Sequence, residues 1–401
     1  MSQYPAYERY SGIWNLAAAL QAKALGTWPV APEPVYQTFG SLYSWGSDGY
    51  GQLGNNTAGY HKSSPVQVGG ETTWGKIAAG EYRTLAIKSN GTLWAWGRNN
   101  YGQLGLGFSG YYTAVSSPVQ VGAFTTWSEI ESGDYHNLAI YHNGTLWAWG
   151  KNSNGQLGDG TTTYRSAPVQ IGALANWLAV AAGSYFSLAI KTNGTLWAWG
   201  HNNYGQLGLG NTSNSSSPVQ VGALTNWSKI SCAPSSGYFV IATKTDGTLW
   251  SWGQGQYGVL GLNMTGAYGS GMYSSPKQVG ALTTWDNISC GSTSAIAVKS
   301  NGTLWSWGAN PAGQLGDGTT TYRSSPVQVG ALTNWSSKIG SGTSHFSAIK
   351  TDGTLWSWGA NIQGVLGHGH ESYRSSPVQV GALTTWVNIS SGFRHSHATA
   401  V

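Results

Sequence analysis

The chain has 401 residues, of which only 8% are charged, and carries a formal net charge of +5 with no run of Lys or Arg. Ordinary domains are about 25% charged, and without a basic stripe the footprint for duplex nucleic acid is missing. No stretch approaches the roughly 18 apolar residues of a membrane span, nor does a basic segment lead into an apolar one as in a secretory leader. A protein of this kind that acts outside a cell must leave by another route, such as lysis. Gly (59), Trp (22) and Tyr (22) replace the charges, a composition suited to an extracellular or particle-surface protein whose loops work through adaptable polar and rigid aromatic contacts.

Residues 1–39 stand apart from the rest. Ile13, Leu16, Leu20 and Ala24 follow helical spacing. Gly26 sits where a helix end favours a left-handed residue, and Pro29 prevents continuation. The pattern predicts a helix over about 14–25, too short to hold in water alone, so it should dock either on its own domain or on a partner. Pro29, Pro32 and Pro34 form a stiff link onward. Ile13, Trp14, Leu16, Leu20 and Trp28 are the candidate attachment residues.

From residue 40 the chain repeats. Asn90-Gly91-Thr92-Leu93-Trp94-Ala95-Trp96-Gly97 returns, with small changes, at 143, 193, 246, 301 and 352, and a degenerate copy at 40–46 opens the series. Trp-Gly recurs at 45, 96, 149, 199, 252, 307 and 358, a spacing of 50 to 55 residues that belongs to propeller blades or solenoids. Asn-Gly ahead of alternating apolar residues predicts a type I′ hairpin turn. Two copies carry Asp in the Asn position, which suits a turn and removes the Asn-Gly-Thr glycosylation sequon. Each unit shows four strand signals: in one copy Lys76 to Gly80, Thr84 to Lys88, Thr92 to Trp96 and Ser117 to Gly122. The Pro in each Ser-Pro-Val-Gln-Val suits an edge strand, where no ladder donor is lost.

The ends complete the fold class. Residues 40–69 supply only the third and fourth strands of a unit, and Val387 to Ser390 with Ser396 to Val401 only the first two. Two halves make one blade. The expectation is an all-β, seven-bladed propeller over 40–401, closed by strands from both termini so that no open ring edge remains, with a short helical and extended N-terminal extension. Cys232 and Cys290 occupy one repeat position, held by Ala79 in another copy, and read as small buried residues.

Units combining this phrase with Asn-Asn-Tyr-Gly-Gln-Leu-Gly (99–105, 202–208), Ser-Pro-Val-Gln-Val and Ile-Ala-Ala-Gly resemble the repeat of the regulator of chromosome condensation family. The resemblance implies a propeller that binds other proteins through loop-decorated faces. Family members include an exchange factor for the Ran GTPase, bacterial inhibitors of β-lactamase, and many bacterial and phage proteins. The Trp-Ala-Trp-Gly form is closer to the bacterial and phage type, and no inserted exchange-factor wedge stands out. Gly12-Ile13-Trp14-Asn15-Leu16 with Gly26-Thr27-Trp28-Pro29 is similar to a segment of structural proteins of marine tailed phages.

The connections after the first and third strands must share one face, and it is these that vary. They hold Tyr60, His61, Phe108, Tyr111, Tyr112, Met264, Tyr268, Met272 and Tyr273, together with the repeated Tyr164-Arg165, Tyr322-Arg323 and Tyr373-Arg374. Tyr and Arg in polar loops are the usual composition of binding hot spots, but the repeated context of Arg165, Arg323 and Arg374 and their tyrosines favours loop supports folded over neighbouring blades. His368 and His370, and His395 and His397, form two His-x-His pairs with metal-site spacing, yet His395 shares its position with His136 and Arg83, which favours a structural role and no metal. No paired carboxylates, nucleophile set or phosphate loop emerges, so neither catalysis nor a cofactor is expected. The sequence reads as a non-enzymatic binding module. One version is a virion-surface structural protein, a capsid decoration or tail adhesin, attached to other virion proteins by residues 1–39 and facing a host-surface protein or glycan, without nucleic acid or membrane insertion. The others are a soluble extracellular or cytoplasmic regulator of a partner enzyme, and a carbohydrate-binding lectin.

Overall fold

The computed structural model describes residues 38–264 and 271–401; the helix expected over 14–25, the five attachment residues and Tyr268 lie outside them. The described chain forms seven four-stranded antiparallel sheets, and each is one blade. In blade 2 the strands run Trp74–Ala79, Arg83–Lys88, Leu93–Arg98 and Ala114–Gln120, from the channel outward. Blades 3 to 7 repeat this over 127–170, 177–220, 227–278, 285–328 and 335–379. Blade 1 is composite: Ser41–Gly46 and Lys62–Gln67 are its outer strands, Trp386–Ser391 and His395–Ala400 its inner ones. Residues 41 to 46 pair in unbroken register with 400 to 395, so both ends of the chain close one sheet, as the half-units require.

The core lies between blades. One cluster joins Leu85, Ile87, Leu93 and Ala95 of blade 2 to Trp127, Ile130, Ala139 and Trp149 of blade 3. Second strands are packed on both faces, and Arg83–Lys88 is buried at every residue. The tryptophans of the Trp-Gly pairs are fully buried, and each indole Nε1 donates to a carbonyl of the preceding blade: Trp96 to Gln52 at 2.9 Å, Trp149 to Gln103 at 3.1 Å, Trp358 to Gln314 at 3.0 Å. Trp45 donates to Val365 at 2.8 Å and closes the ring. A Cβ at Gly105 would stand 2.9 Å from the Trp149 nitrogen, so the last Gly of Gly-Gln-Leu-Gly makes room for the neighbour's indole.

The hairpin turns differ from the expected type I′. Gly91 has φ of +74°, whereas Asn90 is not among the residues with positive φ. Gly91 N–H donates to the Lys88 carbonyl at 2.8 Å, giving a three-residue loop that ends on a left-handed glycine. The Asn90 side chain accepts from Thr92 N–H at 3.1 Å and from its hydroxyl at 2.7 Å, and that oxygen in turn receives Trp94 Nε1 at 2.8 Å. Only an oxygen is needed at this position, which is why Asp246 serves as well, at 3.0 and 2.6 Å.

Candidate functional site

The faces of the ring differ chemically. On one, Asn-Gly turns meet the segments that cross to the next blade: Trp127 N–H donates to Gly91 carbonyl at 3.2 Å. In blade 1 the same bond runs from Trp74 N–H to Gly40 carbonyl, also 3.2 Å. The described chain therefore begins on this uniform face, where an Asn-Gly turn would otherwise sit. Cations here are used inside the blade: Lys88 Nζ lies 3.6 Å from the Trp94 ring centre, with the same spacing for Lys191 over Trp197 and Lys244 over Trp250.

The opposite face carries the connections after first and third strands, locked together by bonds such as Arg98 N–H to Tyr82 carbonyl at 2.9 Å. At its rim stand Tyr60, Tyr111 and Tyr112, 75%, 84% and 81% exposed, with Phe108, Met264 and Met272 about half exposed. Tyr111 and Tyr112 contact edge to face at 4.8 Å, and Tyr112 holds φ of +66°. Tyr273 hydroxyl reaches Met264 Sδ at 2.9 Å, and His61 pairs with Glu371 at 2.8 Å.

Three rim cations brace their own loops. Arg165 bonds Asp159 through Nε at 2.8 Å, and Arg323 bonds Asp317 at 2.9 Å. Each carboxylate also accepts from a threonine two residues on, and these hydrogen bonds hold both aspartates below their ordinary range although burial alone would raise them. Arg374 contacts His370 Nε2 at 2.9 Å. These arginines do not project freely from the face, because their side chains are already committed.

The histidine pairs stay apart. His368 contacts Ser357 Oγ at 2.9 Å in the blade 7 loop. His395 and His397 lie fully buried within a strand, not on a connection, and His397 meets Thr84 Oγ1 at 2.8 Å. Burial depresses all three rings, His368 and His395 to about 4. Among the described residues no group of three or more His, Cys, Asp or Glu is arranged to hold a metal ion. Position 395 is an inter-blade tie in its equivalents: buried Arg83 donates to Asn137 Oδ1 at 2.9 Å and to the Asp134 and His136 carbonyls at 2.6 Å, and His136 meets Ser187 at 2.8 Å. Cys232 and Cys290 are buried free thiols, pushed up by burial, Cys290 to about 12.

Inside the rim, around the channel mouth, lies a group that pattern reading did not single out. The residue after the first-strand turn is Arg394, Tyr82, Tyr135, Tyr185, Tyr238, Thr293 and Ser344 in blades 1 to 7. The residue after each Trp-Gly is Ser47, Arg98, Lys151, His201, Gln254, Ala309 and Ala360. Together with Tyr50, Tyr101 and Tyr204 these form a half-buried crescent over blades 1 to 5. Arg98 lies 4.9 Å from the ring centre of Tyr50, 5.5 Å from Tyr82 and 6.0 Å from Tyr135. Lys151 lies 4.8 to 5.0 Å from Tyr101, Tyr135 and Tyr185. Tyr204 stacks on Tyr238 at 4.7 Å. Glu81 sits among them, raised to about 7 by burial and by Asp134, and partly held down by Tyr135, Arg98 and Arg83. The signal was legible as a column through the repeats, but Tyr and Arg at a conserved turn position look like repeat chemistry until the blades are superposed.

The channel beneath is a cavity of about 350 Å³ lined by Lys76, Glu131, Ser231, Cys290, Lys338 and Ser390 of the inner strands. Lys76 pairs with Glu129, and Lys229 with Asp286 at 3.1 Å. The blade 5 turn, Pro234 to Gly237, reaches across the mouth: Ser235 N–H donates to Asp134 Oδ1 at 2.7 Å, and the Ser235 carbonyl accepts from Ser292 Oγ at 2.8 Å. Blades 3, 5 and 6 are thereby tied at the hub.

A ring of seven four-stranded blades closed by both termini, with a channel capped on the loop-bearing face, defines a β-propeller of repeated units. The chain belongs to the family of the Regulator of chromosome condensation (RCC1) repeat, which matches residues 40–87, 90–140, 143–190, 193–239, 246–298, 301–349 and 352–399. It is 32% identical over 375 residues to the Ultraviolet-B receptor UVR8 of Arabidopsis thaliana, covering 88% of this chain and 69% of the receptor. It is 30% identical over 356 residues to the E3 ubiquitin-protein ligase HERC2 of Homo sapiens, covering 86% of this chain but 7% of the ligase. Human WBSCR16 superposes with a TM-score of 0.79 at 23% identity, over 90% of this chain and all of that one. Prp20p of Saccharomyces cerevisiae, whose structure is described with its binding to Gsp1p and histones, superposes with 0.80 at 20% identity, over 91% and 92%. These two likenesses establish the fold.

Proposed function

We propose that this propeller is a non-enzymatic protein-binding module that works through its loop-bearing face and is displayed on a tailed-phage particle through residues 1–39. The observation that carries this reading is the division of labour between the faces. The described chain begins at Thr38 on the uniform face, whose cations and turns are used internally, while exposed Tyr60, Tyr111 and Tyr112 and the tyrosine crescent occupy the other. The resemblance of residues 12–29 to marine tailed-phage structural proteins supports the particle, and the protein partners named for Prp20p support the binding role.

Deleting residues 1–34 tests the display. Loss of particle incorporation by a propeller that still folds supports it, and undiminished incorporation contradicts it. A soluble regulator of a partner enzyme would use the same face, and that reading gains if the truncated chain retains all partner inhibition. For a glycan ligand at the rim, replacing Tyr111 and Tyr112 would abolish binding on a glycan array.

A further inference from the structure

We propose that the crescent over blades 1 to 5 is the docking surface for an acidic protein segment, and that blades 6 and 7 lie outside it. The inference rests on the protein-binding reading above, but not on particle display.

Blades 6 and 7 act as an internal control. They carry Thr293, Ala309 and Ala312, and Ser344, Ala360 and Gln363, where blade 2 carries Tyr82, Arg98 and Tyr101. Their second and third strands nevertheless pair in the same register, Ser294 with Gly308 and His345 with Gly359, as Arg83 pairs with Gly97. A blade therefore folds without tyrosine or cation at these positions. Five successive blades keep one or both, and the fold does not require it.

Charge sets the partner's chemistry. Five cations elsewhere on the ring are paired with acids, Lys76 with Glu129, Lys88 with Glu71, Arg165 with Asp159, Lys229 with Asp286 and Arg323 with Asp317, while Lys191, Lys244, Lys299 and Lys350 lie over tryptophans of the uniform face. Arg98, Lys151 and Arg394 form no ion pair among the described residues, and all three sit on aromatic rings instead. Burial pushes the Lys151 amine below its ordinary range and the nearby Arg98 adds to this, although Glu81 and Asp134 act the other way. A carboxylate brought in by a partner would offset that lowering. Tyrosine with arginine at a half-buried surface is the composition of a protein hot spot.

The same geometry disfavours a sugar. Stacking needs an open ring face, yet Arg98 lies over Tyr50 and Tyr82, and Lys151 over Tyr101, Tyr135 and Tyr185. Arg98 Nη2 and Nε donate to the Asn100 side-chain oxygen at 3.0 and 3.2 Å, so a partner carboxylate would meet the remaining guanidinium nitrogen and the Lys151 amine.

The test uses the full chain with poly-L-glutamate as probe and a polyuronate of equal charge in parallel. The double variant Arg98→Gln with Lys151→Gln is set against Lys62→Gln with Lys277→Gln, which removes the same charge from outer strands. The crescent pair should weaken polyglutamate binding about tenfold or more, and the outer pair about twofold or less, with the unfolding temperatures of both close to the parent. Tyr135→Thr, which installs the blade 6 residue, should also weaken binding. Equal weakening by the two pairs, no polyglutamate binding, or preference for the polyuronate would each overturn the proposal. The chain lacking residues 1–34 should bind polyglutamate undiminished, so failure here and failure of particle display are read separately.

Discussion

Blades 2 and 6 share a backbone plan and an interior, yet differ at the channel mouth. Both bury a third-strand tryptophan completely, Trp96 and Trp307, and both send its nitrogen to the preceding blade, at 2.9 and 2.7 Å. At the mouth, blade 2 sets Tyr82 and Arg98 where blade 6 sets Thr293 and Ala309. Identity within the repeat thus records what closing the ring demands, and divergence records what the ring is free to spend on recognition.

That contrast breaks most visibly at the shared positions. Trp96→Ala should cost about 3 to 5 kcal/mol by emptying the space between blades 1 and 2 and removing one of the two donors to the Gln52 carbonyl, with Thr84 Oγ1 at 3.0 Å remaining, read as a lowered urea midpoint. Next comes Asn99, whose buried Oδ1 accepts from Leu104 N–H at 2.9 Å and whose Nδ2 donates to the Phe108 carbonyl at 2.9 Å. Asn99→Ala leaves both groups without that partner and should cost about 1 to 3 kcal/mol.

Glu81 sharpens the comparison through pH. Its folded-state pKa, about 7, exceeds the unfolded value of 4.5, so the folded state holds its proton more tightly. Stability from this group is full below pH 4.5, falls as pH rises toward 7, and is gone above that. Glu81→Gln should therefore be about 1 to 2 kcal/mol more stable than the parent at pH 8, after allowance for partial exposure, and no more stable at pH 5. The charged and titratable groups around Glu81 include Asp134, Tyr135, Arg98, Arg83 and Lys151, and the same measurement on Asp134→Asn separates the carboxyl–carboxyl contribution. At the small end, Tyr135→Thr should change stability by less than about 1 kcal/mol, since blade 6 already folds with Thr293 at that position.

The ring was legible in the sequence because its signals repeat. Trp-Gly spacing gave the blade count, and the two half-units gave closure. The turn geometry was misread because Asn-Gly points to type I′, whereas here the Asn90 carbonyl caps Thr92 and only Gly91 turns left-handed. Among candidate site residues, exposure at Tyr60, Tyr111 and Tyr112 agrees with loops that break the repeat, while Arg165 and Arg323, expected to support neighbouring blades, are paired with Asp159 and Asp317 of their own loops. The crescent stayed hidden for the opposite reason. Its members lie about 50 residues apart at equivalent repeat positions, and only the ring sets Tyr135 and Tyr185 6.1 Å from each other.

The most direct measurement places a photo-crosslinking residue at position 135 in one chain and at 344 in another, then exposes both to the native partner mixture. The account predicts capture from 135 that excess poly-L-glutamate abolishes, and little or none from 344. Equal capture from both positions, or capture from 135 that polyglutamate leaves unchanged, would contradict it.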